Sequence, residues 1–387
     1  MNQELNLNID YIYDVNKYQF ETILKDFHKI EGGGGVLYKE NCKLLPDGKI
    51  ENVNVSNTDK KAIYLGNLLN IWGHCITDNL KKFWFLLTPE CQKLREDGFE
   101  LVCTLFKDDK LNKNFVDLLS YLGIKEMDIQ IIKEPGCYKT LVVPQDSLNH
   151  WHWYYQEFKD TIDHITSQIE VDLSSPKKLY FSRTQLKDNG RRDFGESMIE
   201  NAFRLLGYTI VYPEKLSLKE QLVLLKSCDS FAATDGSVAH NAMFCRDKIE
   251  CIVISKMSGA IPYQYSIMGM RQFKSYYIDA HLSIFNVFAP WHGPFYMFMS
   301  DNMVRFCQDR GVRLTHHFSI RQYLRYLFAC FYQFLRYRLR PRMISHSDYY
   351  VPMLKTEIKR RFNEVFFSVS RMIDNYLLCS QILLLLY

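Results

Sequence analysis

Short β-rich runs alternate with stretches of helical periodicity along the first half of this chain, and this pattern limits the folds that the chain can adopt. The β-rich runs lie at residues 62–67, 101–106, 128–132 and 140–144. The helical stretches between them lie at residues 73–87 and 115–123. Strands that alternate with helices are joined by crossovers, which build a parallel sheet with helices on its faces. The pattern therefore predicts a doubly wound α/β domain.

The same alternation starts again after a linker-like segment, VDLSSP, at residues 171–176. Its β-rich runs lie at residues 179–183, 208–213, 230–234 and 251–255. Helical stretches separate them near residues 196–206, 218–227 and 237–244. A chain of 387 residues suits two domains and an appendage. We expect α/β architecture with Rossmann-like domains over residues 1–170 and 171–305, a helical tail over 306–387, and little regular structure before residue 60.

The predicted tail differs from the rest of the chain in its charge. Residues 310–361 contain twelve Lys or Arg against two acids, a local charge of +10, whereas the whole chain carries a formal +4. Arginines alternate there with Tyr, Phe and Leu at helical spacing. Such a helix can lie in the headgroup layer of an anionic membrane, pack on its own protein, or bind nucleic acid. We favour a peripheral membrane surface and expect no nucleic-acid partner.

Other features of the composition bear on where the protein works. The eleven cysteines form no CxxC pair, which is typical of a reducing cytosol. The first fifteen residues are polar and acidic, unlike a secretory signal. No run of 18 uninterrupted apolar residues occurs, so no membrane span is predicted. We expect a cytoplasmic protein, peripheral on the cytoplasmic face of the inner membrane.

Polar side chains follow the first β-rich run of the second half. Arg183 ends that run, and Arg191, Arg192 and Glu196 come shortly after it. In open α/β sheets, ligands bind outside the carboxyl ends of the strands. Arginine forks match phosphate oxygens in two-point geometry. This segment therefore predicts a diphosphate site, although an exposed basic loop with solvated charges would look the same.

A second candidate lies between the strand and the helix at residues 230–244. Asp235, Gly236 and Ser237 stand at the junction, where a glycine permits a tight turn and a helix start offers free N–H groups. Such a junction suits a phosphate or a sugar hydroxyl. Asp235 would alternatively be only a helix cap.

In the first half, His74 and Asp78 are separated by four residues and therefore share one helical face beside a predicted strand end. A histidine with a neighbouring carboxylate is a suitable general base for an acceptor hydroxyl. A structural hydrogen-bonded pair is the alternative. No third ligand follows at a spacing typical of metal sites, so we predict no metal here.

Taken in order, these segments resemble glycosyltransferase family 61, the DUF563 group, which includes bacterial capsular-polysaccharide enzymes. GHCITDNLKKFW resembles its N-terminal segment, LYFSR with RRDFGE its arginine segment, and LSLKEQLVLLKSCDSFAATDGSVAHNAMF its long C-terminal block. The resemblance runs over roughly residues 64–255, about half of the chain. Asp235 stands where the family commonly has His, and Gly195 stands where it has Asn.

The resemblance implies a GT-B fold, in which an acceptor-side domain and a nucleotide-sugar-binding domain face a cleft. It implies inversion at the anomeric carbon, a nucleotide-sugar donor and a glycan acceptor in surface or capsular polysaccharide biosynthesis. Docking of the tail on a membrane would bring a lipid-linked acceptor to this cleft. His74 and Asp78 would face the acceptor. The implied donor contacts are Arg183, Arg191, Arg192, Glu196, Gln221, Asp235, Gly236, Ser237 and Asn241.

GT-B enzymes can offset the charge of the leaving diphosphate with arginines and backbone N–H groups, so we expect no cofactor and no essential metal. Two other functions stay open. One is a catalytically inactive GT-B scaffold in polysaccharide assembly, because Asp235 and Gly195 depart from the family pattern. The other is a pyruvyl or phosphoryl transferase that acts on polysaccharide.

Overall fold

A computed structural model describes residues 28–31, 34–39, 41–45, 57–106, 110–134, 136–149, 153–186, 193–257, 262–283 and 293–338. These residues form a mixed α/β fold with two main sheets, one in each half of the chain. The α-helices are α1 Trp72–His74, α2 Pro89–Glu96, α3 Lys113–Ser120, α4 Gln156–Ser167, α5 Glu196–Leu205, α6 Leu218–Ser227, α7 Ser237–His240, α8 Pro262–Arg271, α9 Asp301–Gln308 and α10 Ile320–Arg338.

The first sheet has seven strands in the order β1-β2-β3-β7-β4-β5-β6. Its strands are β1 His28–Glu31, β2 Gly34–Lys39, β3 Asn41–Leu45, β4 Asn57–Leu68, β5 Glu100–Leu105, β6 Ile129–Ile131 and β7 Gly136–Val142. β7, β4, β5 and β6 are parallel, as the alternation predicted. The chain moves from β4 outward to β6 and then returns to the other side of β4. The switch of strand order therefore lies between β4 and β7, where open α/β sheets bind ligands.

The prediction of little regular structure before residue 60 is wrong for part of that segment. β1, β2 and β3 pair antiparallel and join the edge of the first sheet through β7. β2 begins with the last two glycines of the run at residues 32–35, and β3 follows it after residue 40. The glycine run before Val36, Leu37 and Tyr38 is typical of a turn that leads into a strand, and β2 contains these three residues. Glycine lowers β-propensity without preventing strand pairing, so the glycines of β2 pair as well.

The predicted helix over residues 73–87 forms as three short pieces. α1 is followed by a π-helical turn at Cys75–Asn79 and by a 3₁₀ helix at Leu80–Leu87. The apolar spacing marked the buried face correctly, since Ile76, Leu80 and Phe83 are fully buried. Hydrophobic spacing specifies the buried face but does not separate one helical hydrogen-bond pattern from another. Single π-turns inside helices occur frequently at functional sites.

A small hairpin, β8 Leu148–Asn149 with β9 Trp153–Tyr154, leads from the first sheet into α4. The second half then contains β10 Lys178–Phe181, β11 Asp193–Phe194, β12 Thr209–Val211, β13 Ser230–Thr234, β14 Glu250–Ser255, β15 Lys274–Asp279 and β16 Phe295–Tyr296. Its main sheet is fully parallel, with the order β12-β10-β13-β14-β15, while β11 pairs with β16. The switch of strand order lies between β10 and β13.

Buried side chains cover both faces of the second sheet, which explains why its strands are near-continuous apolar runs. β13 is buried at all five positions, and β14 at its four central ones. Short helices α5, α6, α7 and α8 connect these strands. The carboxyl ends of the five parallel strands therefore share one edge, and the residues that follow them lie along it.

α4 and α8 belong to different halves of the chain, and a buried arginine joins them. Arg271 of α8 donates from Nη1 to Asp163 of α4 at 2.6 Å and to Asp247 at 3.0 Å. Its Nε donates to the carbonyl of Met243 at 2.6 Å. Lys159 of α4 reaches the same two carboxylates at 2.6 and 3.3 Å. This network ties the helix that follows the first sheet to the second half.

α10 lies within the predicted basic-aromatic tail, whose last residues, 339–387, fall outside the described part of the chain. One face of α10 packs against the second half through Tyr326, which is fully buried, and Cys330. Its Gln322 accepts a hydrogen bond from the N–H of Gly195 at 2.7 Å. The opposite face is exposed. Within the described residues, no helix has both the length and the apolar character needed to cross a bilayer.

Candidate functional site

The two sheets meet through the segments that follow a central strand of each. Three residues separate α1 from β4, and two residues separate α7 from β13. Trp72 of α1 donates its indole N–H to Asn241, directly after α7, at 2.8 Å. Gly73 lies against Ser237 so closely that a Cβ at position 73 would be 2.4 Å from the Ser237 hydroxyl oxygen. The carboxyl ends of both sheets therefore face one common interface.

His74 and Asp78 form the contact that their spacing predicted. His74 Nδ1 and Asp78 Oδ2 are 2.5 Å apart, and the π-turn between them keeps both on one side of the segment. Tyr263 of α8 donates its hydroxyl to the other oxygen, Asp78 Oδ1, at 2.5 Å. The imidazole is 42% exposed, whereas the carboxylate is 13% exposed. A residue from the second half thus completes the pair, which leaves the imidazole open to solvent.

The environment of Asp78 favours its charged form. Burial by itself would raise the pKa of the carboxyl, but the hydrogen bonds from His74 and Tyr263 and the nearby positive charge of Lys81 outweigh it, so the pKa is lowered. An ionised Asp78 accepts the Nδ1–H of His74. The lone pair of that imidazole then lies on Nε2, the nitrogen that can accept a proton.

His240 lies near this pair and is buried. Its Nδ1 contacts the amide oxygen of Gln264 at 2.8 Å, and the ring of Tyr263 stands edge-on to it at 6.5 Å. Burial lowers the pKa of His240 to about 4, against the smaller effects of Gln264 and Asp78 that raise it. His240 is therefore neutral at physiological pH, and it packs against the ring of Tyr263.

The backbone of the loop after β10 is fastened by two glutamates of α5. Glu196 Oε1 accepts the N–H of Arg183 at 3.0 Å and the hydroxyl of Tyr180 at 3.2 Å. Glu200 Oε2 accepts the hydroxyls of Ser182 and Thr184 at 2.8 and 2.6 Å. The position of Arg183 is thus fixed by its neighbours, while its guanidinium stays partly exposed.

Glu196 lies behind Arg183 and not on the open surface. It is 1% exposed, and its Oε2 has no hydrogen-bond partner within the described residues. Burial and the neighbouring Asp193 raise the pKa of Glu196 to about 7, although Arg183 and Lys256 act in the opposite direction. Glu196 therefore holds the backbone of the Arg183 loop in place. The direct contact between Glu196 and a donor stays a prediction.

A buried lysine follows β14 at the same edge. Lys256 is 4% exposed, and its Nζ lies 3.4 Å from Asp193 Oδ2. The same carboxylate oxygen lies 3.6 Å from Arg183 Nη1. The ring of Phe295 lies under the ammonium, with its centroid 4.6 Å away. Two cations, from the exits of β10 and β14, therefore converge on one carboxylate oxygen beside the strand switch.

Asp235 and Gly236 occupy the exit of β13, between those of β10 and β14. Asp235 is fully buried, and its Oδ1 accepts the N–H of Gly236 at 2.9 Å. Gly236 adopts φ +121°, which disfavours a side chain there. α7 is only four residues long. The N–H of Gly236, which was predicted to be free for a ligand, therefore already donates to Asp235.

Two other predicted donor contacts are engaged with protein groups. The side-chain N–H groups of Gln221 donate to the carbonyls of Pro213 and Leu216 at 2.9 and 3.2 Å, which fastens the loop after β12. Asn241 accepts from Trp72 and donates to the carbonyl of Val238 at 3.0 Å. Asn241 therefore joins the two halves.

Ser237 is half-buried against Gly73 at the same interface. Arg191 and Arg192 lie outside the described residues, so their predicted role stays a prediction. No group of three or more His, Cys, Asp or Glu side chains in the described ranges is placed to hold a metal ion.

The structure adds three polar residues that the sequence did not single out: Lys256, Asp193 and Tyr263. Lys256 follows a predicted strand directly, so the strand-exit rule could have found it. Asp193 stands between the arginines and Glu196 in RRDFGE. Tyr263 offered no signal, because 185 residues separate it from Asp78.

The model of the family "Glycosyltransferase 61" matches residues 72–254. The matched segment begins at α1 and ends within β14, so it contains both His74 and the strand exits at Arg183 and Asp235. The chain is a glycosyltransferase. Its matched segment is similar to glycosyltransferase 61 enzymes. A role in bacterial capsular polysaccharide synthesis rests on the sequence resemblance alone and stays a proposal.

No curated protein matches this chain. Two solved structures show weak similarity. One is the bacterial iron-containing dodecameric glycosyltransferase TibC from enterotoxigenic E. coli H10407, with 14% identity, 78% of each chain covered and a TM-score of 0.26. The other is the dodecameric iron-containing heptosyltransferase TibC in complex with ADP-D-beta-D-heptose, with 12% identity, 72% of this chain and 73% of that chain covered and a TM-score of 0.24. Similarity of this size defines no residue correspondence and no ligand for this chain.

Proposed function

We propose that this glycosyltransferase moves a sugar, with inversion, from a nucleotide-sugar donor to a hydroxyl group of a glycan acceptor. The single observation that carries the proposal is the meeting of α1 with α7. It brings an exposed imidazole with a carboxylate partner, from the first half, to the edge where the strand exits of the second half present Arg183 and Lys256. Two Rossmann-like domains that face each other in this way would constitute a GT-B layout.

On the acceptor side, His74 is the proposed general base. Asp78 holds the Nδ1–H, so Nε2 takes the proton of the acceptor hydroxyl as its oxygen attacks the anomeric carbon. The new C–O bond forms on the face opposite the leaving group. The bond from the anomeric carbon to the phosphate oxygen breaks, and the nucleoside diphosphate leaves with the electron pair. Asp78 stabilises the imidazolium that results.

On the donor side, negative charge grows on the departing diphosphate. Arg183 is placed at the strand switch, and the proposal includes Arg191 and Arg192 from the following segment. Cationic side chains that are already in place act more strongly in a site that excludes water. With such a set, the reaction is proposed to need no divalent metal ion.

The test is transfer from a panel of UDP, GDP, ADP and CMP sugars to oligosaccharide acceptors, with the anomeric configuration of the product read by NMR. We expect turnover with one donor class and an inverted product. His74→Ala should lower kcat by roughly 100-fold or more with little change in donor affinity. Retention of configuration, or full turnover in His74→Ala, would overturn the mechanism. Loss of turnover in EDTA that Mg²⁺ or Mn²⁺ restores would overturn the metal independence.

We further propose that the enzyme acts at the cytoplasmic face of a membrane, on a lipid-linked acceptor in surface or capsular polysaccharide biosynthesis. The exposed face of α10 supports this setting. Its large apolar residues are 43–73% exposed: Ile320, Leu324, Phe328, Phe331, Tyr332 and Leu335. Arg321 and Arg325 are exposed on the same helix. Aromatic and basic residues together favour the headgroup layer of an anionic bilayer.

A further inference from the structure

Lys256 lies at the proposed donor site, but it stands two residues beyond the segment that matches the glycosyltransferase 61 model. It follows β14 directly and is 4% exposed. Burial lowers the pKa of its ammonium, whereas Asp193 and Asp235 act to raise it. A buried lysine is costly unless its charge is well compensated, so its contacts need an explanation.

Within the described part of the chain, the ammonium of Lys256 makes few and long hydrogen bonds, although carboxylates lie near it. An ammonium has three N–H donors, yet the described residues give this one a single hydrogen-bond acceptor, Asp193 Oδ2 at 3.4 Å. That distance is long for a charge-assisted hydrogen bond, which is usually below about 2.9 Å. The Phe295 ring adds only a cation–π contact. Among the described residues, no acceptor is assigned to the other two donors, which we take to serve a ligand.

Lys82 shows how a buried lysine is satisfied elsewhere in this fold. Lys82 is 1% exposed, donates to the carbonyl of Pro144 at 3.0 Å and forms a close ion pair with Asp146. Its contacts hold the segment after β7 against the 3₁₀ helix. A buried lysine in this protein can therefore make close hydrogen bonds. The long hydrogen-bond distance at Lys256 comes from the particular surroundings of that residue.

Lys256 and Arg183 are close enough to each other to share an anion with several oxygens. Arg183 Nη1 lies 3.6 Å from the same oxygen of Asp193, so one carboxylate oxygen is shared by two cations at long distances. On another side, Gly236 leaves room: the point where a Cβ would stand is 3.5 Å from Lys256 Nζ. A diphosphate offers more oxygens than Asp193 Oδ2 can, and it can contact both cations at once.

We propose that Lys256 is a donor-binding residue that contacts the diphosphate of the nucleotide sugar, and that Asp193 is its exchangeable counter-ion in the empty enzyme. The inference rests on the proposed function, because it names a further contact of the same site. On binding, phosphate oxygens take the place of Asp193 Oδ2 next to Lys256 and Arg183. Lys256 then stabilises the charge that grows on the leaving group.

The test compares each nucleoside diphosphate with its own nucleoside, using the full chain and calorimetric titration with UDP, GDP, ADP and CDP. Lys256→Met should weaken the diphosphate that binds the wild type by roughly 10- to 100-fold, as expected for loss of hydrogen bonds to a charged group. Affinity for the nucleoside should change less than about twofold, because the nucleoside lacks the phosphates. A merely structural lysine would change both affinities alike.

Lys82→Met is the matched control, since it also removes a buried, ion-paired lysine. It should leave the ratio of diphosphate to nucleoside affinity unchanged. Asp193→Asn keeps the shape of the side chain, and it should tighten diphosphate binding because the competing charge is gone. If Lys256→Met does not fold, the Asp193→Asn result decides alone, and unchanged or weaker diphosphate binding overturns the exchange.

The outcomes separate the two claims. If no nucleoside diphosphate binds the wild type, the proposed function itself fails. If one binds, and Lys256→Met retains the wild-type ratio of affinities, the inference about Lys256 fails while the proposed function stands. A lower ratio in Lys256→Met, together with tighter binding in Asp193→Asn, supports the exchange.

Discussion

The indole nitrogen of Trp72 and the amide oxygen of Asn241 are 2.8 Å apart, and this one hydrogen bond links the segment after β4 to the segment after β13. Asn241 is 3% exposed. The bond therefore lies inside the interface between the two halves, where water replaces a lost partner poorly. It also fixes α1, which carries His74, relative to the strand exits of the second sheet.

Trp72→Phe should destabilise the protein by roughly 1–3 kcal/mol, because it leaves the Asn241 oxygen buried without this donor. Transfer activity should fall as well, since α1 loses its alignment. Urea unfolding and kcat/KM measure the two effects. Trp84→Phe is the control, because its N–H donates to the carbonyl of Gln145 in an exposed position. Equal losses in the two variants would contradict the special role of the interface bond.

Tyr263→Phe should weaken catalysis through Asp78. The hydroxyl of Tyr263 helps to lower the pKa of Asp78, so its removal raises that pKa. Asp78 is effective when ionised, and activity is lost as the pH falls through its pKa. The contribution of Asp78 should therefore be lost at a higher pH than in the wild type. Near neutrality, where Asp78 stays ionised, the loss of the hydrogen bond that positions it should lower kcat/KM by roughly 10-fold. Tyr121→Phe, at the far end of α3, should change neither.

Glu196→Gln should change how stability depends on pH. The pKa of Glu196 is raised from 4.5 to about 7 in the folded protein, so the wild type binds this proton more tightly when folded. The stabilisation is complete below about pH 4.5 and is lost as the pH rises through 7, by roughly 3 kcal/mol at most. Denaturant unfolding between pH 4.5 and 8 should show a flatter curve for the variant.

Glu200→Gln should change the pH dependence of stability in the opposite direction, although Glu200 lies on the same helix. The pKa of Glu200 is lowered, because hydrogen bonds from Thr184, Ser182 and Arg204 outweigh the effect of burial. Its stabilisation is present above the ordinary glutamate pKa and is lost as the pH falls. In Glu200→Gln the free energy of unfolding should vary less with pH in the acidic range. In Glu196→Gln it should vary less between about pH 4.5 and neutral pH. This difference distinguishes the two carboxyls. Identical profiles would refute the assignment.

The double variant Phe328→Ser/Phe331→Ser should reduce binding to vesicles that contain anionic lipid by at least about 10-fold, since each side chain contributes buried apolar area in the headgroup layer. Phe328 is 73% and Phe331 is 59% exposed, so the fold should be retained. Co-sedimentation of the full chain measures the effect. Met127→Ser removes a side chain that is 85% exposed in the first half, and it should bind as the wild type does. Unchanged sedimentation of the double variant would reject membrane docking through α10.

The sequence predicted the parallel strands well because buried parallel strands are continuous apolar runs, as in β13 and β14. It predicted the His74–Asp78 pair because both residues lie within one helical turn of each other. It could not predict that Tyr263 completes the pair or that Asp193 lies between Arg183 and Lys256. Such contacts depend on how strands and helices distant in sequence are placed together, which local periodicity does not encode.

The same limit explains why three predicted donor contacts have other partners. Glu196, Gln221 and Asn241 are polar residues near strand exits, so position alone made them candidates. In the fold each bonds to protein groups: Glu196 to the Arg183 backbone, Gln221 to the loop after β12 and Asn241 to Trp72. A polar residue that shapes a site and one that contacts its ligand have the same appearance in a sequence.

The contacts of the Arg271 guanidinium limit how far the two halves of the protein can move apart. The guanidinium is held by Asp163, Asp247 and the carbonyl of Met243, and only 3% of its side chain is exposed. Swinging the halves widely apart would pull this charge away from Asp163 of α4 and would also part Lys159 from Asp247, whereas the Met243 carbonyl would move with Arg271. We therefore expect substrates to enter and leave through small movements of the loops around the site, while α4 stays fixed to the second half.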